Sequence, residues 1–262
     1  MDDEEFQVVG QAHEEKIVKE KISIVIPVYN EASCLGTNLA IVEDYLTTKK
    51  IAYELILVND GSTDSTKSIC QGIVNRNRSA RLISYALNRG KGHAVKTGIL
   101  SAKGIYRVFM DADLAVPVEF IHTCIQQLKQ GADIVIGSRH LSGSSLKVPE
   151  GTLRRLMGGF YLPFVKIALG LRVSDVTCGL KGFTQQAALD IFYRSKIERW
   201  SYDAELIFLA QKLGYSISEI PVDWYHSFNS KVKIGLDTFR TIVEMFKIYY
   251  RYHNGGYFLN NK

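Results

Sequence analysis

Ile22–Glu31 reads ISIVIPVYNE, a nearly continuous apolar run that stops abruptly in tyrosine, asparagine and glutamate. Ile22–Pro27 lacks the alternation of a half-exposed strand, which is the pattern of a parallel strand buried on both faces. A helical stretch follows from about Ser33 to Thr48, and the theme then repeats. Glu54–Asn59 (ELILVN) is a strand, with a helix from about Asp64. Arg81–Tyr85 is a strand, with a helix over Gly92–Ala102. Tyr106–Met110 (YRVFM) is a strand, with a helix over Val118–Gln130, and Ala132–Gly137 (ADIVIG) is a further strand. Such β–α repetition predicts an α/β domain with a mainly parallel central sheet flanked by helices.

The second half changes character. Ser138–Thr152 is polar and carries glycines, so it reads as a mobile loop. Arg154–Leu171 is an apolar helical candidate with basic flanks. Gln185–Phe192 and Asp203–Leu213 read as short helices, Ser216–Pro221 as a strand, and Leu236–Tyr252 as an amphipathic helix with interleaved aromatic and basic residues. No linker divides the chain. The expected organisation is a polar N-terminal arm (1–21), one domain (22–234), and a C-terminal amphipathic helix with its tail (235–262).

Composition narrows the classes. Hydrophobic residues make up 46% and charged residues 23%, which excludes a disordered chain. The cysteines at 34, 70, 124 and 178 form no close pair, so neither a zinc site nor a redox pair is expected, and a reducing compartment suits them. The histidines show no metal-binding spacing. The formal net charge of +5 is modest and does not call for nucleic acid. Many of the basic residues fall late, at 147, 154, 155, 166, 172, 181, 231, 233, 240, 247 and 251, where they could face anionic lipid or a phosphorylated substrate. Residues 1–21 carry no secretory signal, and no uncharged apolar run is long enough to span a bilayer.

In an open parallel sheet, ligands bind outside the carboxyl ends of the strands. The polar clusters of this chain follow its strands: Pro27-Val28-Tyr29-Asn30-Glu31, Asn59 to Asp64, Asn88-Arg89-Gly90-Lys91-Gly92, and Asp111-Ala112-Asp113. Carboxylates after three of four successive strands would repel one another unless a cation or hydrogen-bond donors offset them. Asp111 and Asp113, two apart on an extended segment, can share one face. They are hard oxygen ligands suited to Mg²⁺ or Mn²⁺, with phosphate oxygens completing the shell. Asp60 suits either a nucleobase imino group or the capping of a turn, whereas Asp64 reads as a cap.

These residues resemble the family-2 glycosyltransferases of GT-A (Rossmann-like) fold, and more narrowly the dolichyl-phosphate β-glucosyltransferases. The resemblance runs from Ile22 to about Tyr252. It rests on VIPVYNE (Val25–Glu31), VNDGSTD (Val58–Asp64), NRGKGHAVKTGI (Asn88–Ile99), DAD (Asp111–Asp113), GSR (Gly137–Arg139), DVTCGLKGFT (Asp175–Thr184) and ERWSYDAEL (Glu198–Leu206). It implies an inverting hexosyltransferase that uses UDP-glucose and a polyprenyl or dolichyl phosphate. GDP-mannose as donor, or a silent nucleotide-sugar or lipid-phosphate binding protein, are the alternatives. It further implies that Pro27, Tyr29, Glu31 and Asp60 cradle the nucleoside, with Lys91 near the base. Asp111 and Asp113 would serve ribose, metal and diphosphate, Arg139 would pair with phosphate, and Lys231 would lie near the diphosphate. Asp175 stands where some lipid-linked relatives have a proposed catalytic carboxylate. Mannosyl relatives usually carry glutamine where this chain has Ala115, and eukaryotic glucosyl relatives carry an N-terminal membrane helix that residues 1–21 do not resemble.

A phosphate monoester has a second pKa of about 6, so a lipid-phosphate acceptor needs cations to hold it more than a base to ionise it. Arg154, Arg155 and Lys181 are the candidates to hold it. A hydroxyl acceptor would require a carboxylate base, for which Asp175, Asp203 and Glu205 compete. The Leu156–Leu171 stretch and the Leu236–Tyr252 helix either pack as core or lie in a membrane interface, where Lys166, Arg240, Lys247 and Arg251 would meet head groups. The expected location is cytoplasmic, with peripheral contact to the cytoplasmic face of a membrane.

Overall fold

The computed structural model describes residues 21–146, 162–225 and 236–258. Arg154, Arg155, Lys231 and nearly all of the N-terminal arm lie outside the described residues. Four β–α units come first: β1 (Ile22–Val28), α1 (Leu35–Thr48), β2 (Tyr53–Asp60), α2 (Thr66–Arg76), β3 (Ala80–Tyr85), α3 (Lys91–Ser101), β4 (Tyr106–Phe109) and α4 (Phe120–Lys129). Next come β5 (Ile134–Ser138), β6 (Ser145–Leu146), α5 (residues 162–169) and β7 (Lys181–Thr184). The chain continues through α6 (Gln185–Arg194), α7 (Tyr202–Lys212), β8 (Ile217–Pro221), β9 (Asp223–Trp224) and α8 (Leu236–His253).

The main sheet runs β3-β2-β1-β4-β7-β5-β8. All its pairs are parallel except the two made by β7, which runs against both β4 and β5. Alternate residues of the strands feed two cores. Ile24, Ile26, Leu55, Leu57 and Val108 face α1, α2 and α4. Val25, Ile56, Val58, Phe109 and Phe183 face α3, α6 and α7, and the buried sides of α5 (Val165, Leu169) and α8 (Met245, Ile248) join that second core. The single three-layer α/β domain is therefore as expected, and α8 is packed onto it rather than detached.

Two elements depart from the sequence reading. Residues 138–152 were expected to be loop, yet Ser145–Leu146 pairs in parallel with Asp223–Trp224. The antiparallel strand β7 has no counterpart in the expectations, because lysine and glycine interrupt its short apolar run. Gly182 is needed there: a β-carbon on it would lie 2.4 Å from Cys124 Sγ of α4. The direction of β7 matters for the site. A reversed strand begins where its parallel neighbours end, so the segment entering it, Asp175–Leu180, lies on the rim that carries the polar clusters. The register pairs Lys181 with Phe109, two residues before Asp111.

Candidate active site

The polar strand ends are stitched to one another. Asn30, in the left-handed region at φ 52°, accepts the Thr63 N–H at Oδ1 (2.8 Å), and its own N–H donates to Ser62 Oγ (3.0 Å). The Glu31 N–H donates to Thr66 Oγ1, and Asp64 accepts the N–H groups of Ala32 and Thr66. Asp64 is thus the cap that its position suggested. Asp60 also shapes a loop: Oδ1 accepts the Arg89 N–H (2.8 Å), while Oδ2 accepts Asn88 Nδ2 (2.8 Å) and the Gly90 N–H (2.9 Å). Both oxygens of Asp60 thus cap this loop, with three donors converging on them. On the far side, a β-carbon on Gly90 would lie 2.5 Å from the Glu198 carbonyl oxygen, and the His93 N–H donates to that same oxygen. The loop is held from both sides and delivers Lys91 as the first residue of α3.

Lys91 Nζ lies 2.6 Å from Asp111 Oδ1. The side chain expected near a base therefore sits on the first aspartate of the DAD segment. Gly179 forms the other wall, because a β-carbon there would lie 2.3 Å from Asp111 Oδ2. Asn38 Nδ2 donates to the Ala112 carbonyl (2.8 Å) and ties the segment to α1. Leu114 takes a left-handed conformation at φ 51°, which folds the chain back so that the Ala115 N–H donates to Asp113 Oδ1 (3.1 Å). Burial, the neighbouring Asp111 and then Glu31 raise the Asp113 carboxyl above its usual range despite Lys91. Asp111 and Asp113 thus share one recess with Glu31 acting on it, while Pro27 and Tyr29 stand partly exposed on the same rim.

Three expectations on the acceptor side are corrected. Lys181 is 1% exposed and reaches no surface; its ammonium binds Asp203 Oδ1 (2.6 Å) and the Cys178 carbonyl (2.7 Å) beneath the site. It holds the turn that carries Gly179 and is not placed to hold acceptor phosphate. Asp175, offered as the catalytic carboxylate, is fully buried and forks onto Arg139, with Nε to Oδ2 at 2.7 Å and Nη2 to Oδ1 at 2.9 Å. Those hydrogen bonds and that charge outweigh burial and hold its pKa down to about 2, so it cannot act as a base near neutrality. Asp175 instead aims Arg139, whose guanidinium also bonds Thr177 Oγ1 (2.7 Å) and lies over the Trp224 ring at 5.5 Å. Glu205 accepts the N–H groups of Lys196 and Ile197 and the Tyr257 hydroxyl, well inside the protein.

Among the described residues, no three or more His, Cys, Asp or Glu side chains gather as a complete metal-holding set. Among the described residues, the recess offers a cation the two carboxylates Asp111 and Asp113.

The family described as "Glycosyl transferase family 2" matches residues 23–192, which include every rim segment from β1 to the turn before β7. The chain belongs to glycosyltransferase family 2. This glycosyltransferase is 38% identical over 241 residues to a dolichyl-phosphate beta-glucosyltransferase of Dictyostelium discoideum, covering 86% of the chain and 72% of that protein. It is 33% identical to the protein of the same name in Saccharomyces cerevisiae (92% and 78% covered) and 34% identical to the one in Homo sapiens (81% and 69%). Among solved structures it resembles glucosyl-3-phosphoglycerate synthase of Mycobacterium tuberculosis, with a TM-score of 0.67 at 19% identity, covering 87% and 80%. That synthase has also been solved with Mn²⁺ and UDP-glucose, and with Mg²⁺ and UDP. The likeness supports the GT-A fold of this glycosyltransferase.

The sequence reading missed the turn at 178–180. Its only signal is Gly179 within the DVTCGLKGFT segment, and nothing in that glycine announces an aspartate opposite it.

Proposed function

We propose that this glycosyltransferase moves glucose from UDP-glucose to a dolichyl phosphate with inversion at the anomeric carbon. The names of its relatives support glucose and the lipid phosphate. The observation that carries the acceptor class is the fate of the three candidate bases. Asp175 is held ionised by Arg139, Asp203 is paired with Lys181, and Glu205 is buried among backbone donors. A hydroxyl acceptor would need one of them free to take its proton, whereas an acceptor phosphate is already anionic near pH 7.

In the proposed reaction a phosphate oxygen attacks C1 of glucose as the C1–O bond to UDP breaks, and the leaving electron pair stays on the diphosphate. Arg139, fixed by Asp175 and Trp224, meets phosphate charge without reorganising. Asp111 and Asp113 fit a divalent cation, because they are hard oxygen donors set two residues apart at the end of β4, with a backbone turn at Leu114 that holds Asp113. When bound, such a cation supplies neutralisation of the charge that grows on the diphosphate. Asp111 also suits the ribose, in which case Asp113 is the principal ligand.

A panel of radiolabelled nucleotide sugars offered with dolichyl phosphate tests this reading. Label from UDP-glucose is expected in the organic phase in the presence of Mg²⁺ or Mn²⁺. Transfer from GDP-mannose alone, or to water-soluble acceptors alone, would refute it.

Peripheral membrane contact completes the proposal. α8 turns Met245 and Ile248 into the core and leaves Phe246 (70%), Tyr250 (69%) and Tyr249 exposed beside Lys247. α5 likewise buries Val165 and Leu169 and exposes Ile167 at 83%. Aromatic side chains with flanking cations suit the headgroup depth of a bilayer. Among the described residues no helix is long and apolar enough to cross a membrane. Arg251 does not belong to that face, since its charge acts on the buried Glu205 and Tyr257. The four cysteines are free, which suits the cytoplasmic side of the membrane. The protein is expected to co-sediment with anionic liposomes at low salt, and Phe246→Ser with Lys247→Gln to weaken binding about tenfold or more. Equal sedimentation of the double variant would remove α8 from the contact.

A further inference from the structure

The position of Lys91 is unusual for a cation. It is the first residue of α3, where the helix dipole disfavours positive charge. Its ammonium nevertheless lies 2.6 Å from Asp111 Oδ1, in the recess assigned above to a divalent ion. The first turn of α3 abuts the start of α7, since a β-carbon on Gly92 would lie 2.6 Å from Tyr202 Cβ, and the next residue, Asp203, binds Lys181 through Oδ1. We propose that Lys91 is a resident counter-ion on Asp111, which a divalent cation must displace and which Asp203 then draws inward. The inference rests on the reading of Asp111 and Asp113 as metal ligands.

The charges around the recess support this. Among the described residues, Asp111, Asp113, Asp203 and Glu31 bring negative charge to the recess, and Lys91 and Lys181 bring positive charge. Lys181 is committed to Asp203 and the Cys178 carbonyl and cannot reach the rim. Among the described residues, Lys91 is the cation in direct contact with the DAD carboxylates. With a dication on Asp111 and Asp113, an ammonium left on Asp111 would meet like charge at contact distance. Asp203 lies on the buried side, away from the incoming ion, at the start of α7, against which the first turn of α3 packs. A retreat towards Asp203 keeps the ammonium paired. It also ties metal loading to donor loading, because a diphosphate arriving with the metal adds anionic oxygens at the same rim. The device would keep the empty site from holding a bare divalent ion tightly.

The sign of the effect separates this role from a merely structural one. Removing a structural lysine should loosen the recess and weaken metal binding, whereas removing a competing cation should strengthen it. The experiment measures Mn²⁺ binding to the nucleotide-free protein from the paramagnetic resonance signal of unbound Mn²⁺. Lys91→Met is expected to bind Mn²⁺ about tenfold more tightly than wild type, or about 1.4 kcal/mol. Asp203→Asn removes the retreat and is expected to weaken binding several-fold, and the double variant is expected to behave like Lys91→Met alone. Should Asp203→Asn fail to fold around the buried Lys181, Lys91→Met decides by itself. Unchanged or weaker Mn²⁺ binding by Lys91→Met would overturn the proposal. Asp111→Asn and Asp113→Asn are measured with UDP present. If both bind Mn²⁺ as wild type does, it is the metal site that has been misread, and the two failures are told apart.

Discussion

Asp113→Asn is expected to lower kcat for glucosyl transfer by about a thousandfold while leaving the melting temperature unchanged or slightly raised. The substitution keeps size and the hydrogen bond from the Ala115 N–H, so the left-handed turn at Leu114 has no reason to move. It removes a charge that the folded protein already disfavours through burial and through Asp111 and Glu31. Relieving that repulsion favours the native state. The cost falls on the transition state, where removing one preorganised electrostatic partner of a developing anion costs about 10²–10³. Loss of a metal ligand places the expectation at the upper end. Steady-state kinetics across a Mn²⁺ titration check it, and the residual activity is expected to need far more metal. A variant with near-normal kcat at ordinary Mn²⁺ would show that Asp113 is not the principal ligand.

Gly179→Ala is expected to cost about a hundredfold in kcat/KM although the added methyl touches no substrate. The β-carbon would lie 2.3 Å from Asp111 Oδ2 and 2.5 Å from its Cγ, so either the carboxylate or the turn must shift. The turn resists: the Cys178 carbonyl beside it is held by buried Lys181, and Lys181 by Asp203. The carboxylate is therefore the part that gives. A displacement of about 1 Å in a positioned group costs on the order of 10² in rate. Comparing kcat/KM with the melting temperature separates this from general damage, since the adjoining strand β7 is expected to stay in register. A drop in activity only in proportion to lost folded protein would refute the steric account.

Much of the fold could be read directly from the residues, and the reason is local. Apolar runs such as Ile22–Pro27 and Glu54–Asn59 are buried by layers on both sides, so their composition alone declares them strands. Their polar ends declare the rim. β7 could not be read this way, because its four residues include a lysine and a glycine whose justification is three-dimensional: Cys124 presses on Gly182, and Asp203 pairs with Lys181. The same gap affected the site. Asp111, Asp113 and Arg139 follow strands, and that position alone singles them out. Lys181 and Asp175 were named as if exposed, since a charged residue in a motif reads as reactive until its partner is known. The partners, Asp203 and Arg139, are 22 and 36 residues distant, beyond any local pattern.

β7 also sets the order in which the molecule can be completed. Strands β1 to β4 and their helices can close on one another from consecutive sequence, but β5 pairs with none of those strands. It is linked to β4 through β7, which comes later in the sequence. Until β7 inserts, β4 presents an unpaired edge, of the kind that invites wrong partners in other chains. Insertion of β7 seals that edge and, in the same event, brings Gly179 against Asp111. A nascent chain that stops before Leu180 therefore has neither a closed sheet nor a shaped recess, so the enzyme acquires its catalytic geometry and its protection from aggregation in one late step.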